Sequence, residues 1–128
     1  MANSNLKFGV VTARYVYTDG VANGAQTLAS TSSLPIGAAV TRVTLIARGA
    51  VTASGSATLT ITAGGKSISS AVAKAKLAGA GYVYTENMDL QADSITSDAT
   101  AIGVTIASGP ITGTTADVDI IVEYALIA

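Results

Sequence analysis

The sequence predicts an all-β fold, an antiparallel β-sandwich of seven to eight strands. Three observations support this fold class. Apolar and polar residues alternate with a period of two in several segments, as they do on half-buried strands. Clusters of Gly, Ser, Asn and Asp separate these segments. No regular alternation of helical and strand patterns occurs, which argues against a parallel α/β sheet. Among sandwiches we expect a jelly roll, with at most one short helix.

The clearest alternation lies between residues 40 and 63. Each of the two predicted strands in this region has one apolar face. These faces are formed by Val43, Leu45 and Ala47 and by Ala57, Leu59 and Ile61. Residues 52–55 have the composition of a turn, so we predict that the two strands form a hairpin. The pair Gly64-Gly65 predicts a second turn, into a short strand over residues 66–69.

The C-terminal part of the chain contains two more predicted strands. Ile102, Val104 and Ile106 alternate with smaller or polar residues, and residues 108–113 have the glycines and proline of a loop. The last strand has one wholly apolar face, formed by Val118, Ile120, Val122, Tyr124 and Leu126. A helix would also bring some of these residues together, but their β-branched side chains favour a strand.

Residues 6–17 are apolar on both predicted faces, which is typical of a buried strand or of a strand between subunits. The two faces are Phe8, Val10 and Val16 on one side and Val11, Tyr15 and Tyr17 on the other. Residues 82–90 alternate more weakly and predict another strand. Residues 70–77 are rich in helix formers and are equally compatible with a loop.

The length of 128 residues predicts one domain, residues 1–128, with residues 1–5 as an extended N-terminal arm. A formal net charge of −1 with scattered cations argues against a nucleic-acid partner. The most apolar stretch, residues 118–128, is too short to cross a membrane, and residues 1–5 lack the features of a secretory signal. The mean hydropathy of +0.51 is nevertheless high. We therefore expect that exposed apolar surface on one copy of the chain is covered by contact with another copy.

The composition excludes most familiar active sites. The chain has no Cys and no His, so it has no disulfide, no thiolate metal site and no neutral-pH imidazole base. Gly65-Lys66-Ser67 resembles the end of a phosphate-binding loop, but the first glycine of such a loop is replaced by Thr60, so a hairpin turn is the better interpretation.

The acidic trio Asp89, Asp93 and Asp98 matches no calcium-loop spacing, and we interpret it as part of a solvated loop. An acid pair for glycoside hydrolysis could be drawn from these residues, but nothing in the sequence sets the distance between two carboxylates. We therefore predict a protein that is not an enzyme, with no catalytic residue, no cofactor and no metal site.

Two Tyr-x-Tyr units, Tyr15/Tyr17 and Tyr82/Tyr84, each place two rings on one face of a predicted strand. Such rings can stack on sugars or bases, and they can equally pack in a core or a subunit interface. Because aromatic residues make up only 5% of the chain, we favour the core or an interface.

The order of four segments resembles a known group of proteins. The segments are LPIGAAVTRV at residues 34–43, ATLTI at 57–61, ITG at 111–113 and VDIIVEY at 118–124. They resemble the capsid decoration or cement proteins of tailed bacteriophages, small virion structural proteins of jelly-roll type. This resemblance covers roughly residues 34–124 and rests on strand patterns rather than on catalytic signatures.

The resemblance implies a homotrimer on the capsid surface of the virion, made in the host cytoplasm and bound to the major capsid protein of a tailed phage. We expect the two-faced first strand and the last strand to supply self-association, through Val11, Tyr15, Tyr17 and Ile121. We expect the polar N-terminus to contact the capsid, through Asn3, Ser4, Asn5 and Lys7. The alternative function is a trimeric fibre, spike or tail-associated module whose Tyr or Asp loops bind a host surface glycan.

Overall fold

In a computed structural model, which describes residues 6–87 and 100–127, the chain forms two facing antiparallel β-sheets and a separate two-stranded ribbon. The strands are β1 (Leu6–Val16), β2 (Gly24–Gln26), β3 (Ser33–Leu34), β4 (Ala38–Gly49), β5 (Thr52–Ala53), β6 (Thr58–Ala63), β7 (Lys66–Ser67), β8 (Val72–Ala73), β9 (Val83–Asn87), β10 (Thr100–Ala107), β11 (Ile111–Thr112) and β12 (Asp117–Ile127). Two short 3₁₀ helices, Tyr17–Asp19 and Lys74–Leu77, follow β1 and β8.

The strand order is that of a jelly roll. The first sheet has the order β1-β12-β4-β9, and the second has the order β2-β10-β6-β7, with β3 added to β10 and β8 to β6. If the eight strands of these two paths are taken in chain order, the first pairs with the last, the second with the seventh, the third with the sixth and the fourth with the fifth. This pattern results when a long antiparallel hairpin rolls up on itself. The predicted all-β sandwich is therefore confirmed.

The core lies between the inner faces of the two sheets, and the alternation in the sequence assigns those faces correctly. The long strands bury side chains largely in alternation, and the central buried aliphatic residues are at most 2% exposed. The central ones are Val43, Leu45, Leu59, Ile61, Ile102, Val104, Ile106, Val118, Ile120 and Val122. Full burial of one such side chain contributes about 1.5–3 kcal/mol, so these faces supply most of the driving force for folding.

The predicted hairpin between the strands at 40–49 and 57–63 is wrong. β4 pairs with β12 and β9 in the first sheet, whereas β6 pairs with β10 in the second. The connection between them crosses from one sheet to the other, and its Val51 is buried in the core. Alternation identifies which face of a strand is buried. It does not distinguish a neighbour in the same sheet from a strand that lies across the core.

The second predicted turn is confirmed. Gly64 and Gly65 have φ angles of +59° and +84°, which glycine adopts without steric penalty. They join β6 to β7 in an antiparallel pair, so Gly65-Lys66-Ser67 is part of a hairpin and not of a phosphate-binding loop. The returning strand is shorter than predicted, because β7 ends at Ser67 and Ile68 turns into the core.

Residues 70–77 form no α-helix. They contain β8 and one 3₁₀ turn, in which Leu77 is fully buried. The Lys74 ammonium group donates a hydrogen bond of 2.8 Å to the carbonyl oxygen of Ala53. Pairing of β8 with β6 and burial of Leu77 therefore outweigh the helix propensity of alanine and lysine. The other predicted strand in this region, at 82–90, begins at Val83, and its last three residues lie outside the described ranges.

Gly9 makes room for an aromatic ring where β1 pairs with β12. Gly9 lies directly opposite Tyr124, and a β-carbon on Gly9 would lie 2.5 Å from Cζ of that ring. Any side chain at this position must therefore displace Tyr124. The half-buried Tyr124 packs against the core, so the absence of a side chain at Gly9 supports packing at this end of the first sheet.

The assignment of faces on β12 can be tested with two adjacent residues. Ile120 is fully buried, so Ile120→Ala should lower the free energy of unfolding by about 2–5 kcal/mol through loss of contacts and an unfilled cavity. Ile121 points to the opposite side, and Ile121→Ala should lower it by about 1 kcal/mol or less. Urea denaturation measures both values. Equal losses for the two variants would contradict the assigned faces.

The close approach at Gly9 predicts a coupled pair of substitutions. Gly9→Ala should destabilise the chain by about 1–3 kcal/mol, the usual effect of overpacking. In a Tyr124→Ala background the same substitution should have little effect, because the ring is no longer present. A double-mutant cycle in urea measures the coupling free energy. Additive losses would show that Gly9 is not required to accommodate the ring.

Candidate functional site

The outer face of the first sheet is the surface with the most varied chemistry in the described part of the chain. We define this outer face by the solvent-facing residues of four strands. They are Phe8, Val10, Thr12 and Arg14 of β1, Asp117, Asp119, Ile121 and Glu123 of β12, Arg42, Thr44, Ile46 and Arg48 of β4, and Val83, Thr85 and Asn87 of β9. The outer side of the second sheet, by contrast, presents mainly Thr, Gly and Ala from β6 and β10.

Exposed apolar residues lie along both edges of the outer face. Phe8 is 74% exposed and Val10 56% exposed on β1, and Val83 is 61% exposed on β9. Ile121 and Ile46 lie between these edges and are half-buried. Single exposed apolar residues are common on protein surfaces, but several on one flat sheet are typical of an interface.

Three ion pairs cross the outer face between the apolar residues. Arg14 donates to both oxygens of Asp117, at 2.7 and 2.6 Å. Arg42 contacts Glu123 in the same two-point manner, at 2.6 and 3.1 Å. Arg48 donates one hydrogen bond of 2.6 Å to Asp119. Three cations thus balance three carboxylates. Because exposed pairs contribute about 0–1 kcal/mol each, we interpret them mainly as groups that fix the polarity and shape of the surface.

The Arg14–Asp117 pair also shifts both pKa values. The hydrogen bonds from Arg14 hold the pKa of Asp117 below its ordinary value, against the opposing effect of partial burial. The same hydrogen bonds raise the pKa of Arg14. The pair therefore remains fully charged at every pH near neutrality.

Every carboxylate in the described residues already accepts hydrogen bonds from the protein. Besides the three in ion pairs, Asp19 accepts backbone N–H groups of Val16 and Ala29 at 3.0 and 3.2 Å. Glu86 accepts the backbone N–H and hydroxyl of Ser70 and the hydroxyl of Tyr84. Partial burial alone would raise the pKa of Glu86, but these hydrogen bonds lower it below its ordinary value. The described carboxylates are thus arranged as structural acceptors rather than as an acid–base pair.

The described residues contain no group of three or more side chains suited to hold a metal ion. The trio Asp89, Asp93 and Asp98 lies outside the described ranges. No helix in those ranges is long and apolar enough to cross a membrane.

The two Tyr-x-Tyr units do not form aromatic platforms. Tyr15 is fully buried, and its hydroxyl donates a hydrogen bond of 2.7 Å to the carbonyl oxygen of Gly20. Burial, helped by the charge of Asp19, raises the pKa of Tyr15 to about 12. In the second unit Tyr84 packs partly against the core, while Tyr82 is half exposed. One ring of each unit therefore serves packing, as the low aromatic content predicts.

The structure separates the four residues expected to mediate self-association. Tyr17 and Ile121 reach the surface, but Tyr15 is fully buried and Val11 packs against the core of its own chain. Both side chains point to the inner side of β1, where Tyr15 is fully buried and Val11 is partly buried, so their contact with a second copy stays a prediction. The sequence did not distinguish the two faces of this strand, since both are apolar.

On the outer face, the expectation missed three exposed apolar residues, Phe8 and Val10 of β1 and Val83 of β9. Ile36 and Tyr82 are also exposed but are not among the residues that define this face. Among the residues expected to contact the capsid, Lys7 is exposed on β1. Asn3, Ser4 and Asn5 lie outside the described ranges, as does the rest of the predicted N-terminal arm.

No protein-family model matches the chain, and no curated protein sequence matches it significantly. Two solved structures share its fold. In the acidic stable capsid structure of the Helicobacter pylori bacteriophage KHP30, the match has a TM-score of 0.59 and 15% identity and covers 94% of this chain and 89% of that chain. In the capsid asymmetric unit of cyanophage Pam1, it has a TM-score of 0.63 and 23% identity and covers 94% and 86%. Each phage capsid structure thus contains a chain of similar fold and length.

The lowered pKa of Asp117 predicts a defined dependence of stability on pH. A carboxylate with a lower pKa in the folded chain stabilises it fully above the unfolded value, about 4. This contribution is lost as the pH falls through the folded value. Asp117→Asn should therefore destabilise the chain at pH 7, and its difference from the parent should shrink as the pH falls below about 4.

Urea denaturation at a series of pH values measures this difference. Asp119→Asn is the matched control, because it removes another carboxylate from the same strand and face while leaving the Arg14–Asp117 pair in place. A loss in Asp117→Asn that stays constant down to pH 2 would contradict the role of its charge.

Proposed function

We propose that the chain is a non-enzymatic virion structural protein, a capsid decoration or cement protein that binds the outer surface of the major capsid protein lattice of a tailed phage. The observation that carries this proposal is the jelly-roll fold that the chain shares, over 94% of its length, with chains of similar size in two phage capsid structures. The use of every described carboxylate as a structural acceptor supports a role without catalysis.

The proposed activity is stabilisation by binding. A protein that binds only the assembled lattice stabilises it at each site by RT ln(1 + [L]/Kd), where [L] is the concentration of free decoration protein. Repetition over many sites, and attachment of each oligomer at several points, multiply this effect. Binding and a rigid scaffold are sufficient for this function, and the two packed sheets supply the scaffold.

We further propose that the chain acts as a homotrimer and that its N-terminal residues contact the capsid through Asn3, Ser4 and Asn5, which leaves Lys7 of β1 for contact with a second copy. The exposure of Phe8, Val10 and Val83 supports self-association, because these side chains gain about 25 cal/mol for each Å² of apolar surface removed from water. The location that follows is the capsid surface of the virion, after synthesis in the host cytoplasm.

A binding experiment with phage heads tests the proposed function. Heads of the phage that encodes the chain, prepared without it, are mixed with the purified protein and sedimented. We expect the protein to pellet in hundreds of copies per head and to raise the temperature at which heads release DNA. Light scattering of the free protein should give about three times 12.6 kDa.

A folded protein that neither pellets with heads nor protects them would overturn the decoration function. Binding to host cells instead of heads would identify the receptor-binding alternative.

A further inference from the structure

The first sheet has two edges with unpaired backbone groups, and β1 forms one of them. The backbone N–H of Arg14 points away from β12, because it donates to the carbonyl oxygen of Ser30 at 2.9 Å. Backbone groups of alternate strand residues point to the same side, so those of Phe8, Val10 and Thr12 also point away from β12. Ser30 covers the edge at Arg14 only. The segment from Phe8 to Thr12 is therefore open among the described residues.

β9 forms the opposite edge. Ala47 of β4 accepts a hydrogen bond from Gly81 at 2.6 Å and donates one to Tyr82 at 2.8 Å. The same alternation directs the backbone groups of Leu45 towards Tyr84 of β9. The backbone groups of Val83, Thr85 and Asn87 consequently point outward. No strand in the described part of the chain pairs with them.

We propose that a second copy of the chain covers these edges head to tail, with β1 of one copy adding as a strand beside β9 of the next. All pairings in the first sheet are antiparallel, so β1 and β9 run in opposite directions. If a second copy lies beside β9 in the same orientation as the first copy, its β1 runs antiparallel to β9. The antiparallel order of the sheet then continues from one copy into the next. This mode of binding is β-strand addition to an exposed sheet edge.

One register satisfies backbone, side chains and charge together. With Val10 opposite Val83, the outward backbone groups of both strands meet, and the outer faces of the two copies form one surface. Phe8 then lies opposite Thr85, and on the inner side Lys7 lies opposite Glu86. Lys7 is exposed and has no ion-pair partner among the described residues. A shift of two residues in either direction loses both the valine pair and the charge pair.

The charge pair and the apolar pair identify a second copy as the occupant. Two-fold pairing of β1 with β1 would leave Val83 uncovered and Glu86 without its cation. A head-to-tail contact is heterologous, because it joins two different surfaces of the chain. Copies joined in this way close into a ring when the rotation between successive copies adds up to a full turn. The inference thus deepens the self-association part of the proposed function, and it does not depend on binding to a capsid.

Cysteine cross-linking of the isolated protein tests the contact directly, because the chain contains no natural Cys. Residues that form a hydrogen-bonded pair in an antiparallel ladder, as Val10 and Val83 would, have Cα atoms about 5.5 Å apart, within the range that a disulfide spans. The variant Val10→Cys/Val83→Cys should therefore form covalent oligomers on mild oxidation, seen on a non-reducing gel. Circular dichroism of the reduced variant confirms that it folds.

The matched control is Val10→Cys/Asn87→Cys, which keeps two thiols on the same strands and face. In the proposed register Asn87 lies four residues from the position opposite Val10, about 13 Å along the strand, so this variant should not cross-link efficiently. Efficient cross-linking of both variants, or of neither, would overturn the proposed register. Cross-linked dimers of Val10→Cys alone would overturn it in favour of two-fold β1 pairing.

A charge substitution gives an independent readout. Lys7→Glu places a carboxylate opposite Glu86 and should raise the concentration at which the oligomer dissociates by about fivefold. Lys66→Glu, at the β6–β7 turn, is the control and should leave that concentration unchanged. Analytical ultracentrifugation measures both. A monomer at all concentrations, or equal effects of the two substitutions, would overturn the contact, whereas failure to bind heads would overturn only the decoration function.

Discussion

The fold depends on the placement of β12 between β1 and β4. β12 pairs along its length with β1, from Asp117 opposite Val16 to Ile127 opposite Leu6. On its other side it pairs with β4, with two irregularities in register. Both contacts join residues far apart in sequence, so β12 completes the sheet by pairing with strands from much earlier in the chain. The inner side chains of β12, Val118, Ile120 and Val122, occupy the centre of the core. β12 therefore contributes both backbone hydrogen bonds to two neighbouring strands and buried apolar side chains to the core.

The position of β12 also determines the chemistry of the outer face. Its outward carboxylates, Asp117, Asp119 and Glu123, each meet an arginine from a neighbouring strand. Charged residues on β1, β4 and β12 thus neutralise one another within a single chain. The apolar residues at the two edges have no such partner among the described residues and remain exposed. Internal charge pairing and open apolar edges together make this side of the sheet suited to assembly.

The strand pairings define the fold of this chain, whereas its function depends on particular surfaces. The jelly roll follows from strand pairings, and two phage capsid structures contain chains of the same fold at 15% and 23% identity. A fold supports many functions, because function resides in particular surfaces and sites. For this chain the surface of interest is a sheet face with exposed edges rather than a cavity with catalytic groups. Its function is therefore proposed as one of binding between rigid subunits.

The fold class and the buried face of most strands follow from local sequence patterns. Alternation at a period of two is a local property, and Val43, Leu45, Ile102 and Ile106 occupy the core as it predicts. The glycine turn after β6 was also predictable, because positive φ angles favour glycine at Gly64 and Gly65.

Tertiary packing, by contrast, sets which strands are neighbours and which side of β1 faces solvent. β4 and β6 have the pattern of a hairpin, yet they belong to opposite sheets. Both sides of β1 are apolar, and its burial depends on the packing of Tyr15 against the second sheet rather than on its own pattern. Pairing and packing arise between distant segments, whereas propensity and alternation describe neighbours in sequence. For this reason the sequence indicated an apolar first strand but did not show which of its two faces is buried.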